Sequence, residues 1–264
     1  MLLVAVGVEG SGHHALKALL ASANSQFRFL YEGNYVPWEE WLGSRLEREV
    51  LERSRRWTRT VSLPRSMTPQ KRTGWRQPLA LMRQSSRVGV GEMPDYQALV
   101  EGDDVASDED VRRWVLVDSS VPFYGGWERD SLLYLDYVGM ADFLSPRTTR
   151  VVHLSRSPEM ASLSVYGRKI EGTLERACRS TFQSMLVVQA AVASLKFLSP
   201  LEISYEALCR SPSEVCSSLE NYMGLPGATL NPEAVVPSER EPSESEKEVL
   251  GRFWTQNRKS VFMV

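Results

Sequence analysis

Residues 7–20, GVEGSGHHALKALL, follow directly on the apolar run Leu2-Leu3-Val4-Ala5-Val6. Gly7 and Gly12 have the spacing of the phosphate loop G-x-x-x-x-G-K-[ST]. In that loop glycines let successive backbone N–H groups converge on an anion at a helix start. Gly10, Ser11 and Gly12 can do that backbone work. The last two positions differ: His13 and His14 stand where lysine and a hydroxyl residue hold a triphosphate and its Mg²⁺. Histidine has neither the permanent charge and reach of lysine nor the hydroxyl. The loop therefore points to a phosphate-bearing ligand held without metal, and Mg-ATP or Mg-GTP fits it poorly. The plainer alternative is a pair of polar residues opening a helix in a decayed loop. Neighbours on a helix diverge by about 100°, and His153 is the one further histidine. A histidine-based metal site is therefore disfavoured.

Such a loop needs a buried strand before it and a helix after it. Leu2–Val6 reads as the strand and His14 to about Ala23 as the helix. Further strands are expected at Phe27–Tyr31, at Trp114–Asp118 (WVLVD) and at Arg150–Leu154 (RVVHL). Helical patterns run over Glu39–Trp57, Tyr134–Leu144 and Thr173–Leu198, the last stopped by Pro200. The segment LEISYEAL reads as a short strand entering a helix that ends near Gly224, and SEKEVLGRFWTQNRKS as a closing helix. Alternating strands and helices predict a three-layer α/β/α domain on a mostly parallel sheet, spanning residues 1–264 without internal repeat.

Composition is that of a globular chain: 42% hydrophobic, 24% charged, net charge −2. The charge is uneven. Residues 43–90 hold twelve Lys/Arg against three Asp/Glu, and Ser/Pro punctuation over 58–90 predicts an irregular, Arg-rich insertion or lid. It reads either as a solvated face or as a rim that attracts an anionic ligand. Residues 233–248 carry six Glu against Arg240 and Lys247. Cys178, Cys209 and Cys216 form no C-x-x-C pair and fit reduced thiols. No run reaches the roughly 18 apolar residues of a membrane span, and the N-terminal strand has no basic leader. The expectation is a soluble, cytoplasmic chain without membrane or nucleic-acid partners.

Two further windows carry chemistry. In RVVHLSRSPEMASLSVYGRK, residues 150–169, a strand ends, Arg156 appears, Pro158 turns the chain, and Ser164 follows on a helix. This puts a guanidinium and a hydroxyl at the carboxyl edge of the sheet, suited to bidentate and single contacts with phosphate. The third window is EISYEALCRSPSEVCSSLENYMGLP, residues 202–226.

Together the windows resemble the sulfotransferase family that uses 3′-phosphoadenosine 5′-phosphosulfate (PAPS). The family's first loop, which binds the 5′-phosphosulfate, matches Glu9-Gly10-Ser11-Gly12-His13-His14. Its R-x-P…S element, which binds the 3′-phosphate, matches Arg156, Pro158 and Ser164. Its tyrosine-glutamate-leucine segment, the tyrosine near adenine, matches Tyr205-Glu206-Ala207-Leu208, with Gly224-Leu225-Pro226 beyond. The terminal R-K-G loop has a loose echo in Asn257-Arg258-Lys259, with Arg258 as a possible phosphate contact. The resemblance implies a P-loop, nucleotide-kinase-like sulfotransferase fold and a metal-independent enzyme. That enzyme would move a sulfuryl group from PAPS to a hydroxyl or amine of a small-molecule acceptor, leaving adenosine 3′,5′-bisphosphate.

The departures are specific. The family has lysine or arginine at the position of Gly10 and threonines at those of His13 and His14. A histidine, or an arginine from residues 43–90, is the candidate replacement for the missing cation. Lys17, one turn on, is expected to face solvent. Glu32, after the second strand and among Tyr31, Tyr35 and Trp38, is the first candidate for the base that accepts the acceptor's proton; His14 and Glu92 follow. Asp118-Ser119-Ser120 would line the acceptor pocket or cap a helix, and His153 reads as a core residue of a strand. Two rival readings remain, a P-loop kinase of a small molecule and a non-catalytic binder of nucleotides or polyanions.

Overall fold

The computed structural model describes residues 2–23, 27–31, 58–62, 114–121, 131–135, 141, 144, 146–147, 149–227, 229–237 and 240–262. In chain order the elements are β1 (Leu2–Val8), α1 (His13–Ala21), β2 (Phe27–Tyr31), β3 (Thr58–Ser62), β4 (Trp114–Val121) and β5 (Ser131–Leu135). Then come β6 (Thr149–Ser155), α2 (Pro158–Gly167), α3 (Leu174–Ser194), β7 (Leu201–Ser204), α4 (Tyr205–Arg210), α5 (Pro212–Met223) and α6 (Glu244–Phe262).

The main sheet has the order β2-β4-β1-β6-β7, and every pairing in it is parallel. β1 is central, and its side chains alternate between two cores. Leu3 and Ala5 pack with Leu16, Leu19 and Leu20 of α1 and with Leu208 and Leu219 of α4 and α5. Val4, Val6 and Val8 pack with Ala161 and Val165 of α2, with Ala177 and Val188 of α3 and with Leu250 and Trp254 of α6. Burial on both faces explains why β1 reads as unbroken apolar sequence. The result is the expected α/β/α sandwich. After β1 the chain crosses towards β2; after β6 it crosses the other way, to β7. A crevice therefore opens at the carboxyl edge between β1 and β6, where open α/β sheets bind ligands.

Three expectations about elements change. Residues 131–135, placed partly in a helix by the sequence reading, form β5, which pairs antiparallel with β3. Its run Leu132-Leu133-Tyr134-Leu135 has no period to separate strand from helix. β3 itself is regular structure at the start of the segment expected to be irregular. The helix expected to run to Gly224 is two helices, because Pro212 holds Ser211 out of helical geometry (φ −137°, ψ 56°). The rest of the Arg-rich stretch, and the 39–57 helix, lie outside the described residues except for β3.

The closing helix α6 has a capping box: the Ser243 N–H donates to Glu246 Oε2 at 2.8 Å, and the Glu246 N–H donates back to Ser243 Oγ at 3.4 Å. Glu246 also accepts both terminal nitrogens of Arg240, and these bonds hold its pKa down at about 2. About two turns further along α6, Trp254 is fully buried, edge-on to Phe253 at 5.2 Å and tilted against Phe182 of α3 at 6.4 Å. Burial pushes the nearby Cys178 thiol up to about 11, hydrogen bonding to Ser162 and Trp254 offsetting part of the rise. Replacing Trp254 by alanine removes the wedge that holds α6 on α3. Trp254→Ala should cost about 3–5 kcal/mol in urea unfolding. It should also let Cys178, inert in the native wild-type chain, react with iodoacetamide under native conditions.

Candidate functional site

The crevice is built on the turn that ends β1. Gly10 and Gly12 have φ of +87° and +106°, a left-handed backbone that glycine adopts at little cost. The Ser11 N–H donates to the Val8 carbonyl at 3.0 Å and closes the turn. A Cβ on Gly7 would lie 2.4 Å from Ser11 Oγ and 2.8 Å from the Leu154 carbonyl, so the loop folds back onto its own strand and onto β6. Ser11 is completely buried there, and among the described residues its hydroxyl has no hydrogen-bond partner. Ser11 thus shapes the loop from within. α1 starts at His13, with Gly12 as N-cap, no side-chain cap and no acid in its first turn. Its leading N–H groups and positive end face the turn.

His13 is buried and His14 exposed. Lys17 is also buried, at 6% exposure, which corrects the expectation that it faces solvent. It lies four residues after His13, so both fall on the same inward side of α1.

The second window meets this loop from β6. Arg156, 8% exposed, donates from Nη1 to the Gly10 carbonyl at 2.9 Å, and its guanidinium lies 4.1 Å over the Tyr205 ring. A charge that cannot be shed needs such partners when buried. Ser157 caps α2 by accepting the Met160 N–H. Two turns into α2, Ser164 sits under the loop: a Cβ on Gly10 would lie 3.0 Å from Ser164 Cβ and 3.1 Å from its Oγ.

The third window closes the far side. Tyr205 opens α4, capped by Ser204, and packs on Gly12 so closely that a Cβ there would meet Tyr205 Cδ2 at 2.8 Å. Glu206 accepts the Ser157 N–H at 2.9 Å, tying β7–α4 to β6–α2. Gly10, Ser11, Gly12, His13, Arg156, Ser164 and Tyr205 are thereby brought to one crevice, from segments up to about two hundred residues apart.

Sequence reasoning missed part of the arrangement. Glu9 accepts from Ser120 Oγ, near the end of β4, with one carboxylate oxygen and from Arg168 Nη1 with the other. Arg168 Nη2 donates to Ser164 Oγ at 3.1 Å. The spacing of Ser164 and Arg168, four apart at the end of α2 with Arg168 as its C-cap, is the one signal that could have linked them. Ser120 belongs to a strand and not to a helix cap.

Other candidates lie elsewhere. Glu32 and Glu92 are outside the described residues. Asn257, Arg258 and Lys259 are helical residues of α6, not a loop. His153 is in β6, and burial holds its pKa below the usual imidazole value against the opposing pull of Glu202. Among the described residues no group of three His, Cys, Asp or Glu is placed to hold a metal ion, and no helix is long and apolar enough to cross a membrane.

No family model matches the chain, and no curated protein matches it. Among solved structures, the chain is similar to the sulfotransferase domain from the Synechococcus PCC 7002 olefin synthase. The identity is 12% and the TM-score 0.41, over 96% of this chain and 94% of that one.

Proposed function

We propose that this chain is a sulfotransferase that takes PAPS as donor and a small hydroxyl- or amine-bearing molecule as acceptor. The observation that carries the reading is the meeting of the three windows at one crevice: Arg156 on the Gly10 carbonyl, Ser164 beneath Gly10, and Tyr205 against Gly12. The residues fit the donor. An uncapped helix start and two left-handed glycines, packed against Ser164 and Tyr205, offer N–H groups to a 5′ anion. Arg156 and Ser164, one strand over, supply a fork and a hydroxyl for a second phosphate. Tyr205, buried between Arg156 and Gly12, would border the purine as the resemblance implies. The donor, when bound, supplies the sulfuryl group, which passes from the anhydride oxygen to the acceptor oxygen or nitrogen. The acceptor's proton goes to a carboxylate.

Glu32 is the proposed base. β2 ends at Tyr31, one residue before it, and all strands of the main sheet end at the same edge as the loop. The chain's own work is then positioning and charge placement, as in phosphoryl transfer. The protein is proposed to act in the cytoplasm, without nucleic acid or membrane as partner.

Calorimetric titration tests the donor. Adenosine 3′,5′-bisphosphate should bind without added metal, about ten- to a hundredfold tighter than ADP, the range expected when charge-assisted hydrogen bonds to one phosphate are added. Preference for Mg-ATP would favour a kinase, and equal, steeply salt-dependent binding of all anions a polyanion binder. Arg156→Ala should erase the bisphosphate preference while a cooperative thermal melt persists; a preference that survives removes Arg156 from the site. For the base, Glu32→Gln should abolish turnover, measured with radiolabelled donor and a responsive acceptor, and leave bisphosphate affinity within about twofold. Retained turnover would exclude Glu32.

A further inference from the structure

The loop from Gly7 to His14 has one formal charge, and it is negative: Glu9. A carboxylate 12% exposed at the mouth of an anion site would repel its ligand unless a cation covers it. Arg168 covers it. The two cations already described near the loop are enclosed: Arg156 holds the Gly10 carbonyl and the Tyr205 face and is assigned to the second phosphate, and Lys17 is buried on the inward side of α1. Arg168 differs. Its side chain is 37% exposed, and one fork nitrogen rests on Ser164 Oγ, the hydroxyl that a side chain at Gly10 would strike. Its backbone is fixed as the C-cap of α2, with its N–H on the Ser164 carbonyl at 3.1 Å and the chain reversed by Lys169 at φ +58°. The guanidinium can swing while its anchor stays.

We infer that Arg168 is the cation of this loop, parked on Glu9 in the free protein and transferred to the anionic group of the ligand when one is seated between Gly10 and α1. Glu9 is its positioning residue. The inference rests on the proposed anion site and adds to it the group that neutralises charge where the loop itself has none. Ser164, within reach of both, is the pivot. An anion arriving at the loop competes with Glu9 for the fork. The pair is partly exposed and therefore weakly held, so the exchange is a small step and not a rebuilding of the site.

The test is a double-mutant cycle read by calorimetry at one ionic strength, with adenosine 3′,5′-bisphosphate and with inorganic pyrophosphate as probes. Removing the competitor, Glu9→Gln should tighten both probes about two- to fivefold. Arg168→Ala should weaken both about ten- to a hundredfold. The double variant decides between two causes. If Arg168 reaches the ligand, the double variant binds at least about tenfold more weakly than Glu9→Gln alone. If Arg168 merely cancels the charge of Glu9, the double variant binds like Glu9→Gln, and the inference is overturned. Glu9→Gln alone, should it bind no tighter, also overturns the parking contact, so a poorly folding Arg168 variant does not shelter the idea. The two probes separate this from the proposed function. Loss of bisphosphate preference over ADP with the pyrophosphate cycle intact defeats the sulfotransferase reading and leaves Arg168 in place; a strong preference with a flat cycle does the reverse.

Discussion

A guanidinium enclosed at the end of β6 holds the crevice together. Arg156 cannot lose its proton, and burying it would be prohibitive without partners. The Gly10 carbonyl and the Tyr205 ring, which it contacts, belong to segments far apart in sequence. Satisfying one charge therefore fixes the first loop against the third window. Glu206 completes the arrangement from the next residue, because its carboxylate takes the Ser157 N–H that the cap of α2 leaves over. The topology makes this possible. β1 and β6 are neighbours whose outgoing connections diverge, the arrangement at which open α/β sheets bind ligands.

Shape and charge are supplied by different parts of the chain. The β1–α1 unit gives shape: left-handed glycines, a serine turned inward, and a helix start without a cap. Its close packing on the other two windows requires glycine, since a Cβ at Gly10 or Gly12 would collide with Ser164 or Tyr205. The β6–α2 unit gives charge, with Arg156 at its start and Arg168 at its end. A loop without lysine is then no contradiction. The two arginines flank α2, Arg156 just before its N-cap Ser157 and Arg168 as its C-cap, and each contacts the loop, Arg156 at the Gly10 carbonyl and Arg168 at Glu9.

How far this was legible from the sequence depends on the range of each interaction. The strand–glycine–helix unit, the strand before Arg156 and the segment at Tyr205 are local patterns, and each stands where its period placed it. The α/β/α layering follows from the same alternation. What escaped was set by tertiary contact. Glu9 and Arg168 are separated by 159 positions, and no local rule pairs them. Lys17 shares an amphipathic helix with polar neighbours, and its burial depends on what packs over α1. The run at 131–135 is apolar without period, so its state was decided by pairing with β3. The split between α4 and α5 was readable in Pro212, but the longer helical pattern on either side outweighed it.

Glu9 joins the two halves of the edge. One oxygen faces β6–α2 through Arg168, and the other faces β4 through Ser120, which stands in register with Gly7 and one residue before the strand's end. β4 in turn pairs with β2, whose last residue precedes Glu32. In the proposed reaction, donor charge is handled on the β6 side and the acceptor's proton on the β2 side. A ligand that draws Arg168 away leaves the Glu9 carboxylate to Ser120, at the boundary between the two. Glu9 thereby ties the loop to β4 as well as to Arg168, a tie that a lysine in the loop would not by itself provide.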